Sequence, residues 1–262
     1  MKLGVLGASG RMGQQIIQYA ESFGFEVSHA FVSEQSQFLG QSVAGTHYRH
    51  LAEADDAPDV LIDFSLPHAL HENLAYAEAH QCPIVVCTTG LDAEQQQRLR
   101  DTASQVPTLH ARNTSLGVAL MEQLTRIAAG AFKEADIEIF EAHHRHKKDG
   151  PSGTALALGE AAARGRQVQF EAINDGVRGD GERSAHGIGF SVVRAADIVG
   201  EHQVWLAQAG ERIELSHRVS DRRIFAEGAL RAANWLTAQT PGECYQMADV
   251  LDLKKQLAQL LD

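Results

Sequence analysis

Lys2-Leu-Gly-Val-Leu-Gly7-Ala-Ser-Gly10-Arg-Met-Gly13 is the stretch whose reading decides the fold. Lys2 to Leu6 is a short apolar run that stops at a glycine-rich turn. Beyond the turn, Met12, Ile16, Ile17, Ala20 and Phe23 recur on one helical face, and Gly24 stands where a C-terminal cap belongs. A strand therefore feeds a turn, and the turn feeds a helix. The glycines at 7, 10 and 13 have GxxGxxG spacing, a variant of the dinucleotide-binding fingerprint. In that reading Gly7 permits the tight turn, Gly10 the close approach of a pyrophosphate, and Gly13 the packing of helix against strand. The helix start adds unpartnered N–H groups and a partial positive charge for the same anion.

The pattern then repeats. Glu26 to Val32 and Asp59 to Ser65 read as further strands, His68 to Gln81 as a helix, and Pro83 to Thr89 as a fourth strand ending in Gly90. Asp92 is placed to cap a helix over Ala93 to Ser104, and Pro107 to Arg112 is a fifth strand. Continuous apolar strands alternating with helices predict a parallel sheet covered on both faces, a Rossmann-like α/β unit. Ligands of such sheets bind beyond the carboxyl ends of the strands. Those ends carry Gly7–Gly13, Phe64-Ser65-Leu66-Pro67 and Thr88-Thr89-Gly90, all small, polar or turn-forming. At the end of the second strand stands Ser33-Glu34-Gln35, with no arginine, which leans a dinucleotide towards NAD through the ribose hydroxyls. Arg11 follows Gly10 and could meet a phosphate. Cys87 reads as a strand-end core thiol, since no base is placed beside it.

The bulk numbers bound what such a protein does. The 262 residues carry a net charge of −11, with 44% hydrophobic and 22% charged residues. No basic face dominates, which argues against nucleic acid as a partner. No apolar run approaches the ~18 residues of a membrane span, and the N-terminus opens on a strand rather than a signal sequence. Three cysteines without CxxC spacing fit a reducing compartment, so the expected location is the cytoplasm.

The second half differs. Val118 to Phe132 is helical, and Ala135 to Ala142 alternates as a half-buried strand. Gly187–Arg194, Glu201–Gln208 and Arg212–Val219 read as further strands, the last two joined by a hairpin turn at Ala209-Gly210-Glu211. Arg166 to Ala185, rich in Gly, Asp and Arg, reads as a mobile loop. Arg223 to Ala238 is a closing helix, followed by a leucine-bearing tail. An open mixed sheet has edges and a face to cover, so self-association is expected.

Between the first of these strands and an alanine-rich helix runs Glu141-Ala-His-His-Arg-His-Lys-Lys-Asp-Gly-Pro-Ser-Gly-Thr-Ala155, with six consecutive residues of basic type. Histidines, a lysine and a helix N-terminus together suit a small dianion, with proton donors at hand. Adjacent histidines on an extended segment face opposite sides, and no carboxylate or cysteine is read at ligand spacing, so no metal is expected. Arg145, His146 and Lys148 read as bystanders, and His202, His217 and Arg194 as residues that pair within the sheet.

This fifteen-residue stretch closely resembles the signature of the 4-hydroxy-tetrahydrodipicolinate (dihydrodipicolinate) reductase family. Gly7–Gly13, Asp63-Phe-Ser65 with Pro67, Thr88-Thr-Gly90, Asn113–Val118, Arg194–His202 and Leu215-Ser-His217 resemble further family segments in order, so the likeness spans essentially the whole chain. It implies NADH- or NADPH-dependent reduction of a cyclic, unsaturated imine dicarboxylate in lysine and diaminopimelate biosynthesis. It implies a dinucleotide-binding domain over 1–114 and 226–262, and an α+β substrate and oligomerisation domain with an open mixed sheet over 115–225. It also implies a homotetramer, with a small dicarboxylate as ligand and neither nucleic acid nor membrane. Carried over residue by residue, His143 is the acid/base group and Lys147 its partner. His144, Gly153 and Thr154 hold the substrate carboxylates. Gly7, Gly10, Arg11, Met12, Gly13, Glu34, Phe64, Thr88, Thr89, Gly90, Arg112 and Asn113 bind the nucleotide. Lys148, Gly150, Cys87 and Ala196 depart from the residues common at those family positions, and none of them removes a catalytic type. Ser33-Glu34 does not align cleanly with the family's acidic-then-basic pair. A nucleotide-sensing binder is the alternative class, and the intact His143–Lys147 pair argues against it.

Overall fold

A computed structural model describes residues 1–253 of the chain; the end of the leucine-bearing tail, 254–262, lies outside the described residues. The chain separates into two compact units, Met1–Ser115 with Arg223 onward, and Leu116–Arg222.

The first unit holds β1 (Lys2–Leu6), α1 (Arg11–Tyr19), β2 (Glu26–Phe31), β3 (Ser42–Val43), β4 (Thr46–Arg49), β5 (Val60–Asp63), α2 (Leu70–Ala79), β6 (Ile84–Val86), α3 (Ala93–Ala103) and β7 (Thr108–His110). Its sheet runs β3-β4-β2-β1-β5-β6-β7, with every pairing parallel except the β3–β4 hairpin. Leu61 and Ile62 are neighbours on β5 with side chains on opposite faces, and both are 0% exposed, so both faces are covered. Phe31, Leu61, Leu70, Leu74, Ile84 and Leu99 form one core. The expected first helix breaks after Tyr19 into a short 3₁₀ turn, Glu21–Phe23, capped by Gly24 in the left-handed region. Asp92 caps α3 through a reciprocal box with Gln95.

The second unit holds α4 (Leu116–Ala131), β8 (Asp136–His143), α5 (Gly153–Arg166), β9 (Asn174–Val177), β10 (Ile188–Arg194), β11 (Gly200–Gln208) and β12 (Glu211–Val219). Its sheet is mixed, in the order β12-β11-β8-β10-β9, with β8, β10 and β9 parallel and β11 and β12 antiparallel. Gly210, with φ of 91°, makes the two-residue turn between β11 and β12. Ile137, Ile139, Ile188, Phe190, Val204 and Leu206 pack against Met121, Leu158 and Ala162 of α4 and α5. Gly130 and Gly165 let those helices touch backbone to backbone: a Cβ on Gly130 would stand 3.0 Å from the Gly165 carbonyl oxygen.

The chain then returns to the first unit with α6 (Arg223–Leu236) and α7 (Met247–Val250). Ala226, Ala229, Ala232 and Ala233 of α6 are 0% exposed, which brings that helix close to α1 and to β5 and β6.

Two readings change. Arg166–Ala185 is not all loop, because Asn174–Val177 forms β9 beside β10. Arg178 just beyond it pairs with Glu138 and Asp175, a long-range anchor that leaves no local periodicity. Residues 42–49 add the β3–β4 edge hairpin to the sheet, in strands that carry no apolar run.

A Cβ at Gly13 would stand 2.7 Å from Ala8 Cα, whereas one at Gly10 would meet only the Gly7 carbonyl oxygen, at 3.2 Å. Gly13→Ala is therefore expected to cost about 1–3 kcal/mol in urea denaturation, and Gly10→Ala less than about 1 kcal/mol.

Candidate active site

In a parallel sheet all carboxyl ends lie on one edge. Gly7, Gly10, Arg11, Met12 and Gly13 occupy the β1–α1 turn at that edge. Glu34 follows β2, Phe64 follows β5, Thr88, Thr89 and Gly90 follow β6, and Arg112 and Asn113 follow β7. Gly7 takes a positive φ of 72°, and a Cβ there would stand 2.7 Å from the Phe64 carbonyl oxygen, so only glycine lets the β1 and β5 loops meet. Gly10 opens α1 in an extended conformation with no side-chain cap, leaving the first-turn N–H groups for an anion. The Phe64–Pro67 loop is pinned from beneath by Asp63, which is 0% exposed and accepts from Ser65 N–H (2.7 Å) and Asn73 Nδ2 (3.1 Å). Burial raises the Asp63 pKa against those hydrogen bonds. Burial, with the Asp63 charge, also pushes the Cys87 thiol well up, which suits a core thiol and not a nucleophile.

Arg49, on β4, stands in register with Phe31 at the end of β2, its guanidinium 5.9 Å from the Phe31 ring centre. Arg49 Nη2 lies 3.7 Å from an Asp56 carboxylate oxygen.

In the second unit the site grows from strand alternation. Ile137 and Ile139 face the helices from β8, so Glu141 and His143 must face the same way beyond the core. His202 on β11 stands opposite Glu141, and Arg194 on β10 stands beside His143. The Glu141 side chain is 0% exposed. One oxygen accepts from Arg194 Nη2 (2.8 Å) and from Ser152 N–H (3.1 Å), and the other meets His143 Nδ1. Burial pushes this carboxyl up, but the hydrogen bonds and charges of His143 and Arg194 outweigh it and hold the pKa at about 2. Ser152 Oγ accepts from Ala155 N–H (3.2 Å), capping α5, and shares a hydrogen bond of 3.1 Å with His202 Nε2. The histidine rings of 143 and 202 meet edge to face, with centres 5.2 Å apart.

Arg194 also ties down the following loop, donating to the carbonyls of Asp149 (2.5 Å) and Lys147 (3.3 Å). Lys147 Nζ reaches both oxygens of Asp149 at 2.9 Å. Asp149 is 62% exposed, so the pair is weakly held and open to exchange for another carboxylate. Gly153 and Thr154 begin α5 and present first-turn N–H groups. His144 lines an open depression with Arg145, His146, Asp197 and Arg222. Desolvation, then the Arg222 charge, lowers the pKa of its ring. Arg145 and His146 thus border the same depression as His144 rather than turning away from it.

Glu141 and Ser152 are the residues that sequence reading left out, whereas Arg194 and His202, read as pairing within the sheet, do so at this cluster. The signal for Glu141 was present: it lies two residues before His143, on the same face of a strand. Contrary to expectation, a carboxylate does stand beside the histidine, and the side chains of Glu141, His143 and His202 converge with ligand-type atoms within 4.8 Å of one another. Both Glu141 oxygens, however, are engaged by Arg194, Ser152 and His143, and the guanidinium opposes a cation there.

A Rossmann-like parallel sheet with a glycine turn, joined in one chain to a mixed sheet bearing histidines and a lysine at a helix start, is an architecture of nucleotide-dependent reductases. Residues 1–114 match the N-terminal domain of dihydrodipicolinate reductase, and residues 117–251 match its C-terminal domain. The chain is 43% identical to the 4-hydroxy-tetrahydrodipicolinate reductase of Pseudoalteromonas translucida strain TAC 125, over 97% of this chain and 98% of that one. It is 44% identical to that of Zymomonas mobilis, with the same shares covered. Its fold is shared with the dipicolinate-bound dihydrodipicolinate reductase of Paenisporosarcina sp. TG-14, with a TM-score of 0.78 and 23% identity over 95% of this chain and 98% of that one. The chain belongs to the dihydrodipicolinate reductase family. Among the described residues, no helix is long and apolar enough to cross a membrane.

Burial and the neighbouring His143 charge depress the His202 pKa to about 3 from an ordinary 6.5. Between those values the unfolded chain binds a proton that the folded one refuses. Stability is therefore complete above pH 6.5 and falls as the pH drops, by up to about 1.4 kcal/mol per pH unit. Urea midpoints measured from pH 8 to 4 are expected to show that slope in the wild type and a shallower one in His202→Gln.

Proposed function

We infer that the protein reduces 4-hydroxy-tetrahydrodipicolinate, by way of dihydrodipicolinate, to tetrahydrodipicolinate with NADH or NADPH, in the cytoplasmic synthesis of diaminopimelate and lysine. The observation that carries this reading is identity of 43–44% across 97% of the chain to reductases of that name. The nicotinamide, when bound, supplies the hydride. The glycine turn fits such a group: it closes on the β5 loop only because Gly7 lacks a Cβ, and it leaves the α1 amides open to a pyrophosphate. Phe64, Thr88, Thr89, Gly90, Arg112 and Asn113 complete the strand-end surface that holds it.

The substrate unit's share is charge and proton handling. Lys147 exchanges Asp149 for a substrate carboxylate, and His144 supports it from the neighbouring depression. The amides of Gly153 and Thr154, at the positive end of α5, hold the second carboxylate. Hydride addition builds negative charge on the conjugated ring, and His143, assisted by Lys147, delivers the proton that meets it.

Glu34, after β2, suits the ribose hydroxyls, and Arg49, in register with the end of β2, offers a cation for a 2′-phosphate in exchange for Asp56. The open face of the mixed sheet, where Phe140 packs on Trp205 with ring centres 4.4 Å apart, suits assembly into a homotetramer.

Purified protein with substrate made in situ is expected to oxidise NADH and NADPH. Absence of oxidation with either would remove the reductase reading. His143→Gln and Lys147→Ala are each expected to lower kcat by about 10²–10³-fold while nucleotide Kd stays within about twofold. Arg49→Ala is expected to shift the kcat/KM ratio towards NADH and Glu34→Ala towards NADPH, read from initial rates with both nucleotides.

A further inference from the structure

We propose that Glu141 is the positioning residue of the site: its buried carboxylate fixes the ring of His143 with Nδ1 as the hydrogen-bond donor and Nε2 turned out for proton transfer, and one Arg194 guanidinium holds that carboxylate and the substrate loop in register. The proposal rests on the reductase reading, in which His143 handles the proton.

The geometry leaves the carboxylate one role. Its first oxygen is saturated by Arg194 and the Ser152 amide, which fixes the plane of the group. Its second oxygen faces His143 Nδ1. An ionised carboxylate can only accept, so the proton of a neutral His143 resides on Nδ1, and Nε2 carries the lone pair. The other ring of the cluster cannot take over this role. His202 Nε2 is already hydrogen-bonded to Ser152 Oγ, the cap of α5, and burial holds the ring neutral. Space beside Nε2 is kept by Gly200, where a Cβ would come within 3.2 Å of that nitrogen. When Nε2 is protonated, the imidazolium remains paired with Glu141, so the ring turns over without losing its orientation.

Arg194 gives the same carboxylate a second function. Through Nη2 it joins Glu141 Oε1 to the Asp149 carbonyl, and through Nε it reaches the Lys147 carbonyl. The strand that carries His143 and the loop that carries Lys147 therefore share one anchor. Neither Glu141 nor Arg194 needs to touch substrate for its loss to reach the reaction.

The test is a double-mutant cycle with a spectroscopic readout. Glu141→Gln is expected to lower kcat by about 10²-fold, while substrate KM and nucleotide Kd stay within about twofold. In the His143→Gln background the same substitution is expected to change kcat by less than about twofold, because a residue that acts through His143 has nothing left to position. Glu141→Gln/Arg194→Met removes both charges together and keeps the test open if the single variant folds poorly; its turnover is expected to stay low. In proton NMR, a low-field Nδ1–H resonance, assigned by its loss in His143→Gln, is expected to shift in Glu141→Gln. Wild-type turnover in Glu141→Gln, full additivity with His143→Gln, or an unmoved Nδ1–H resonance would overturn the proposal while leaving the reductase reading intact. A wild-type protein that oxidises neither nucleotide would overturn the reductase reading, and the NMR arm would still report on the Glu141–His143 contact.

Discussion

A single buried carboxylate organises the second unit. Glu141 lies beyond the apolar end of β8, with its charge out of water, and such a group persists only when nearby donors and charges compensate it. Arg194 of β10 and Ser152 at the start of α5 hydrogen-bond one oxygen, and the other lies in ion-pair contact with His143 of its own strand. Satisfying one charge thus fixes the end of the sheet, the start of a helix and the orientation of an imidazole. Removing one partner from a buried pair leaves an uncompensated charge, which typically costs about 3–5 kcal/mol. The cluster can therefore be varied only in concert.

The first unit solves a parallel problem with neutral groups and glycines. Asp63 sits fully buried at the end of β5 and spends its oxygens on Ser65 and Asn73, holding the loop that Gly7 touches. The β1 turn and the β5 loop are then fixed against each other at backbone distance. The first-turn N–H groups of α1 are thereby preformed for an anion.

Much of this was legible. The strands β1, β2, β5, β6 and β7 were visible as continuous apolar runs because burial on both faces removes polar alternation. Strands β3, β4 and β9 are a different matter: Ser42-Val43, Thr46–Arg49 and Asn174–Val177 escaped because they carry no continuous apolar run, and β9 is held by Arg178 on Glu138, forty positions away in sequence. Around the site, the run from His143 to Thr154 carries its chemistry within a few turns of chain, and its residue types stand out. Arg194 and His202 were legible as residues that pair within the sheet, but their convergence on Glu141 depends on strand pairing.

Local sequence dictates the residue types present, the glycine spacing, the alternation that puts Glu141 and His143 on one face, and the serine that caps α5. These properties are set by periods of two and 3.6 residues and by the sterics of a missing Cβ. Which partners those residues meet was settled by the tertiary structure. It paired β8 with β10 and β11, so that Arg194 and His202 converge on Glu141, and it paired β2 with β4, so that Arg49 stands in register with Phe31 at the end of β2. Register between strands distant in sequence is set by the burial of whole faces, a cooperative property that no short window contains.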